Sequence, residues 1–292
     1  MIGEPTVFSG FRCKLGEGGC WHRDRKSFFW VDILEGKIFE KNLNGDSNHW
    51  KLDCFVSAVF EVENDANHLW VVSSLGLLLL SLDQGNWRVI HPLYGIGNGM
   101  RTNDAGIDPS GNLVYGTMHC NPENGSGKIY RLDKSGSVHV LVDNVGIPNT
   151  FQWINDGKIL YSADSYLGLM YKFRYANGLV FDQKIFISLS PELGVVPDGS
   201  AIDSEGYLWN ACWGGSKVQK IDKNGQVVEK IELPVSKPTS CTFGSRGELF
   251  ITSASVDMSV EDLKREPFSG SVLLIETDSE SAKKPYLKLD QQ

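Results

Sequence analysis

Glu17, Asn103, Asn149 and Asp198 lie far apart in a chain of 292 residues, yet each offers a hard oxygen donor. Glycine or proline flanks three of them, in Gly16-Glu17-Gly18, Pro148-Asn149 and Pro197-Asp198-Gly199. Such neighbours favour a tight backbone path that aims the side chain. Two carboxylates and an amide brought together repel, and one carboxyl must stay protonated unless a cation lies between them. A Glu/Asn/Asp set with no sulfur and no imidazole favours Ca²⁺, Mg²⁺ or Mn²⁺ over a structural zinc. Three protein ligands also leave coordination positions open, so an ion bound by Glu17, Asn149 and Asp198 can polarise a carbonyl or acidify a water. Arg101 and Asn103 add a guanidinium fork and an amide, suited to the hydroxyl and carboxyl oxygens of a polar substrate. Plainer readings exist for each residue alone: an acid can cap a turn, and Arg101 can sit in a surface ion pair. What favours a site is matched position.

That match comes from a repeat. Six apolar, aromatic-rich runs recur, anchored on Trp30, Trp70, Val114, Tyr161, Trp209 and Phe250, with spacings of 40, 44, 47, 48 and 41 residues. Polar turns precede most of them, such as Asp108-Pro109-Ser110-Gly111 and Asp203-Ser204-Glu205-Gly206, which is the chemistry that joins adjacent antiparallel strands. A second run follows in most copies, often opened by glycine, as in Gly36-Lys37-Ile38-Phe39 and Gly127-Lys128-Ile129-Tyr130. A period of 40 to 50 residues with several short strands per copy is the signature of a propeller blade. Six copies predict an all-β, six-bladed β-propeller, with four-stranded antiparallel blades around a central channel, as a single domain over residues 1–292.

In a propeller the first strand of each blade lines the channel and precedes the anchor strand. Counting back, Glu17 stands 13 residues before Trp30, Asn103 11 before Val114, Asn149 12 before Tyr161, and Asp198 11 before Trp209. Ser57 and Ser240 fill the corresponding positions, 13 before Trp70 and 10 before Phe250. All six channel-end positions are polar.

Composition narrows the function classes. A formal charge of -8 without basic clusters argues against nucleic acid or an anionic membrane as partner. No apolar run reaches the 18 residues of a spanning helix. Six cysteines form no Cys-x-x-Cys pair and read as reduced, buried thiols. Met1-Ile2-Gly3-Glu4-Pro5 lacks the charged-then-apolar form of a secretion signal. A cytoplasmic protein is expected, monomeric or weakly self-associating.

The motifs themselves resemble a known family. Leu15-Gly16-Glu17-Gly18 with Cys20-Trp21-His22 and Phe29-Trp30-Val31-Asp32-Ile33, then Arg101-Thr102-Asn103-Asp104, Pro197-Asp198-Gly199 and Pro238-Thr239-Ser240-Cys241 run in the order of the senescence-marker-protein/gluconolactonase family of regucalcin-like sugar lactonases. The resemblance covers almost the whole chain. It implies a six-bladed propeller with one divalent ion, drawn from Ca²⁺, Mg²⁺, Mn²⁺, Zn²⁺ or Fe²⁺ with Ca²⁺ or Mn²⁺ favoured, that hydrolyses a small-molecule sugar lactone. It further implies Glu17, Asn149 and Asp198 as metal ligands, Arg101 and Asn103 as the substrate-binding pair, and Asp198 as catalytic base. Other uses of such a site are an esterase or phosphotriesterase, or a calcium-binding propeller without catalysis.

Two departures from the family pattern stand out. Glycine usually follows the metal-binding Asn, but here it is Thr150. Threonine does not readily take a positive φ, so the local backbone or the surroundings of the ligand are expected to differ. After Gly116-Thr117-Met118 the family carries acidic residues, whereas this chain has His119-Cys120-Asn121-Pro122-Glu123. His119 becomes a third candidate for binding substrate, against the plainer reading of a structural histidine at a strand end. The substrate is accordingly expected to differ from plain gluconolactone.

Overall fold

A computed structural model describes residues 2–290. Six four-stranded antiparallel sheets follow one another around a ring, giving the six-bladed β-propeller that the repeat predicts. The innermost strands are Gly16–His22, Val56–Val62, Met100–Ile107, Pro148–Ile154, Val196–Ile202 and Pro238–Phe243. The six anchor residues all fall on the strands that pair next to these.

Second strands are buried on both faces because each blade is covered by its neighbours. Ser27–Asp32 is buried at all six positions, and Trp30 and Trp209 are sealed from solvent. Outermost strands such as Val227–Glu232 are mostly exposed and charged. The core is therefore a set of layers between blades. Phe29, Val31 and Ile38 of blade one pack against Val59, Leu69 and Leu78 of blade two, for example. Truncating a sealed tryptophan in such a layer costs about 3–5 kcal/mol.

Ring closure was not apparent in the repeat. Thr6–Ser9, near the start of the chain, forms the outer strand of blade six by pairing with Val272–Glu276. Aromatic packing locks the junction: Phe28 of blade one stacks on Phe250 of blade six with ring centroids 4.4 Å apart, and Phe8 meets Phe250 edge-on. At the other end of the chain, residues 280–290 cross the turn face of the ring. Ser204 N–H donates to Glu280 O, Lys288 N–H to Gly111 O, and Asp290 N–H to Lys134 O. Among the described residues no helix is long and apolar enough to cross a membrane.

Each inner strand slips register against its partner near its start, between Glu17 and Cys20, Val56 and Ala58, Thr102 and Ala105, Asn149 and Gln152, Pro197 and Ser200, and Pro238 and Ser240; that of blade two slips again between Glu61 and Val62. Such a bulge re-aims a side chain without ending the sheet. The polar residues found by counting all fall at or inside these slips; in blade six Thr239 shares the slip with Ser240. Gly18 shows what the bulge demands. It has φ +59, and a Cβ there would lie 2.6 Å from Ser57 O and 2.9 Å from Ala58 Cα. Left-handed backbone and steric overlap together predict that Gly18→Ala is destabilised by about 2 kcal/mol or more, read from the denaturant midpoint. An unchanged midpoint would show that the two inner strands can part here.

Candidate active site

The bulges deliver Glu17, Arg101, Asn103, Asn149 and Asp198 to the same end of the channel, all of them buried. A hydrogen-bond chain links three blades. Arg101 Nη1 donates to Asn103 Oδ1 at 2.8 Å, Asn103 Nδ2 to Asn149 Oδ1 at 2.9 Å, and Asn149 Nδ2 to Ser165 Oγ at 2.8 Å. Ser165 Oγ in turn donates to Pro197 O at 2.6 Å, the carbonyl preceding Asp198. These bonds fix the amide orientation of Asn149, leaving its oxygen with one lone pair free.

Glu17 and Asp198 complete the group from blades one and five. Burial raises the Glu17 carboxyl well above its ordinary range, and the charges of Asp198 and then Asp104 add to the rise. Burial likewise raises Asp198, with Asp104 next in effect. Each carboxylate receives only a weak local answer, from the Gly18 and Gly199 backbone N–H groups and from Arg101. Arg101 is itself desolvated, which lowers its pKa, and its Nη1 is committed to Asn103 and to Thr102 O. Two buried carboxylates and an amide oxygen with so little compensation fit a divalent cation well: all the donors are hard oxygens, and the excess negative charge is what such an ion neutralises. Among the described residues no three acidic, histidine or cysteine side chains form a metal cluster by themselves.

Counting missed four residues around this group. Asp104 is half-buried and pushed up to about 6 by desolvation, and its oxygens accept from the Ala105 and Thr150 N–H groups. Ser165 bridges Asn149 to blade five. Asp32 and Asp164 perform one job in two blades: Asp32 accepts from the N–H groups of Lys14 and Leu15, and Asp164 from those of Gly146 and Ile147. Each thereby ties down the segment leading into the strand that carries a ligand candidate. The recurrence of Asp at the end of the anchor strand was the available signal.

Thr150 takes the conformation that its residue type disfavours, with φ +60. The backbone expected of glycine is therefore kept, with a threonine side chain beside Asn149. His119 pairs with Met100 at the end of its strand, half-buried. Its Nδ1 lies 2.8 Å from Asn121 O, and its ring packs over Gly99. It borders the mouth beside Arg101 without joining the hydrogen-bonded group. Trp213 ends the anchor strand of blade five opposite Val196, with the Lys237 ammonium 5.3 Å from its ring centroid. A cavity of about 600 Å³ lies further along the inner strands, lined by Gly18, Phe60, Asp104, Trp153 and Lys284. It approaches the same group from the turn side.

The family described as SMP-30/Gluconolactonase/LRE-like region matches residues 15–255. The pentonolactonase XacC of Haloferax volcanii is 30% identical over 257 residues, covering 84% of this chain and 83% of that protein. The L-arabinolactonase of Azospirillum brasilense is 28% identical over 281 residues, covering 94% and 92%. Among solved structures, the calcium-binding protein regucalcin from Agrobacterium tumefaciens superposes with a TM-score of 0.92 at 27% identity and 98% coverage of both chains.

Proposed function

Because the chain belongs to the SMP-30/gluconolactonase/LRE-like family, we propose that it hydrolyses the ester bond of a sugar lactone to the sugar acid, using one divalent cation held by Glu17, Asn149 and Asp198. The observation that carries this reading is the meeting of two under-compensated buried carboxylates with an amide oxygen, directly beside the Arg101–Asn103 pair. When bound, the cation would polarise the lactone carbonyl and acidify water. Arg101 and Asn103 orient the ring hydroxyls, with His119 at the rim as a further candidate contact. Asp198 accepts a proton from the attacking water as the new C–O bond forms. The ring C–O bond then breaks, and the departing oxygen takes a proton to become the hydroxyl of the open acid.

Relatives named pentonolactonase and L-arabinolactonase support five-carbon sugar lactones as the first substrates to try. The Agrobacterium relative, described as calcium-binding, supports Ca²⁺ as a candidate ion beside Mn²⁺. A proton-release assay over a panel of aldonolactones tests the proposal. Turnover is expected on at least one pentonolactone, abolished by chelator and restored by Ca²⁺ or Mn²⁺. If every sugar lactone fails to turn over in a chelator-sensitive way, while phosphotriesters or simple esters react, the site serves a different ester.

A further inference from the structure

Among the described non-glycine residues with φ in the left-handed region, Thr150 is the only buried one and the only β-branched one. The others are Asn, Asp, Lys or Ser with solvent access, at turns except for Asn144 and Asp182, which lie in outer strands. A β-branched residue stays in that region only when its surroundings over-determine it. In blade one the residue that follows the candidate ligand, Gly18, has nearly the same φ, +59, and meets the demand without a side chain. The bulges of blades one and four thus share a left-handed step that those of blades three and five do not take, and in blade four a threonine side chain stands where blade one has none.

What it contributes is visible in its bonds. The Thr150 N–H donates to Asp104 Oδ2 at 2.8 Å, which joins blade four to blade three. Thr150 Oγ1 donates to the backbone carbonyl of Asp198 at 2.7 Å and lies 2.8 Å from Ser200 Oγ, which joins blade four to blade five. Asn210 Nδ2 donates to the same Asp198 carbonyl and to Ser200 Oγ, so the hydroxyl of Ser200 is left to donate to Thr150. Every polar atom in this knot has an assigned role. At its centre stand the residue after Asn149 and the main chain of Asp198.

We propose that Thr150 is a positioning residue, whose strained backbone aims Asn149 at the axis and whose hydroxyl locks the main chain of Asp198 to it. The inference rests on the metal-dependent reading above and deepens it. Outer residues that orient metal ligands are worth roughly 10- to 100-fold in metal affinity. Mn²⁺ binding by calorimetry is accordingly expected to weaken by that factor in Thr150→Ala, and to stay within about threefold of wild type in Thr150→Ser, which keeps the hydroxyl. Thr150→Gly relieves the strain but loses the hydroxyl. It covers the case in which the alanine variant does not fold, and is expected to bind as weakly as alanine. A folded glycine or alanine variant that binds Mn²⁺ like wild type overturns the proposal. Should wild type itself bind no divalent ion, the metal reading fails separately, and crystal structures of the same variants decide this one. Asn149 and Asp198 must then shift or split into alternate conformers without the hydroxyl and hold their places in Thr150→Ser. Unmoved side chains in Thr150→Ala or Thr150→Gly overturn it.

Discussion

Asp198→Asn is expected to lower kcat on the best lactone by about 10³-fold or more, while the metal-free protein melts no lower than wild type. The two readouts part because Asp198 serves chemistry and burdens the fold. Its carboxylate is buried, lies beside Asp104 and Glu17, and is pushed toward the protonated form by desolvation and then by Asp104. An amide of the same shape removes one of the repelling charges, keeps an oxygen ligand, and cannot take a proton from water. Functional sites commonly hold such unfavourable arrangements, and relieving them trades activity for stability. Initial rates and a melting curve with chelator present check both halves. If activity survives within tenfold, Asp198 is not the base. If activity falls but the metal-free protein also melts markedly lower, Asp198 contributes to structure rather than opposing it.

How much of this site is legible in the sequence depends on the kind of signal each residue leaves. Trp30, Tyr161 and Trp209 mark their strands because a strand sealed on both faces must be apolar and large, and the regular blade length then fixes where the inner strand begins. Glu17, Asn149 and Asp198 could be found by counting only because every blade places its register slip at nearly the same distance from that anchor. The small scatter in the offsets reflects turn length, not the site. Thr6–Ser9 was invisible because it completes blade six from the opposite end of the chain, and four residues leave no periodicity to detect. Ser165 was missed because a turn serine is ordinary in composition; only the folded chain shows it between Asn149 and Pro197. Thr150 stands out in the sequence, but what holds it does not. The sequence argued that threonine would resist the left-handed backbone, but three bonds to neighbouring blades hold it there.

The stability of the protein is expected to depend on pH in opposite directions with and without its ion. In the metal-free protein Glu17 and Asp198 have pKa values raised well above 4.5 and 3.8, both chiefly by desolvation, and Asp104 is raised to about 6 for the same reason. The folded state thus holds these protons more tightly than the unfolded chain. The associated stability is complete below the ordinary carboxylate range and is lost as pH rises through the raised values. Carboxylates shifted the other way, such as Asp143 beside the Lys128 ammonium, lose their contribution only at lower pH and leave the interval from 5 to 8 clear. His22, whose pKa is lowered by burial, does titrate near that interval with the opposite sign. It lies away from the ligand residues, so it cancels when curves with and without metal are subtracted. A divalent cation needs both carboxylates ionised, so its stabilisation must grow as pH rises. With the ion at about 100 times its Kd at pH 8 the added stability is about 2.7 kcal/mol, or a melting shift of about 4 °C for a chain of this size. The shift should shrink steadily toward pH 5. A difference between chelated and metal-loaded melting points that stays flat across this interval would mean that the ion does not bind through Glu17 and Asp198.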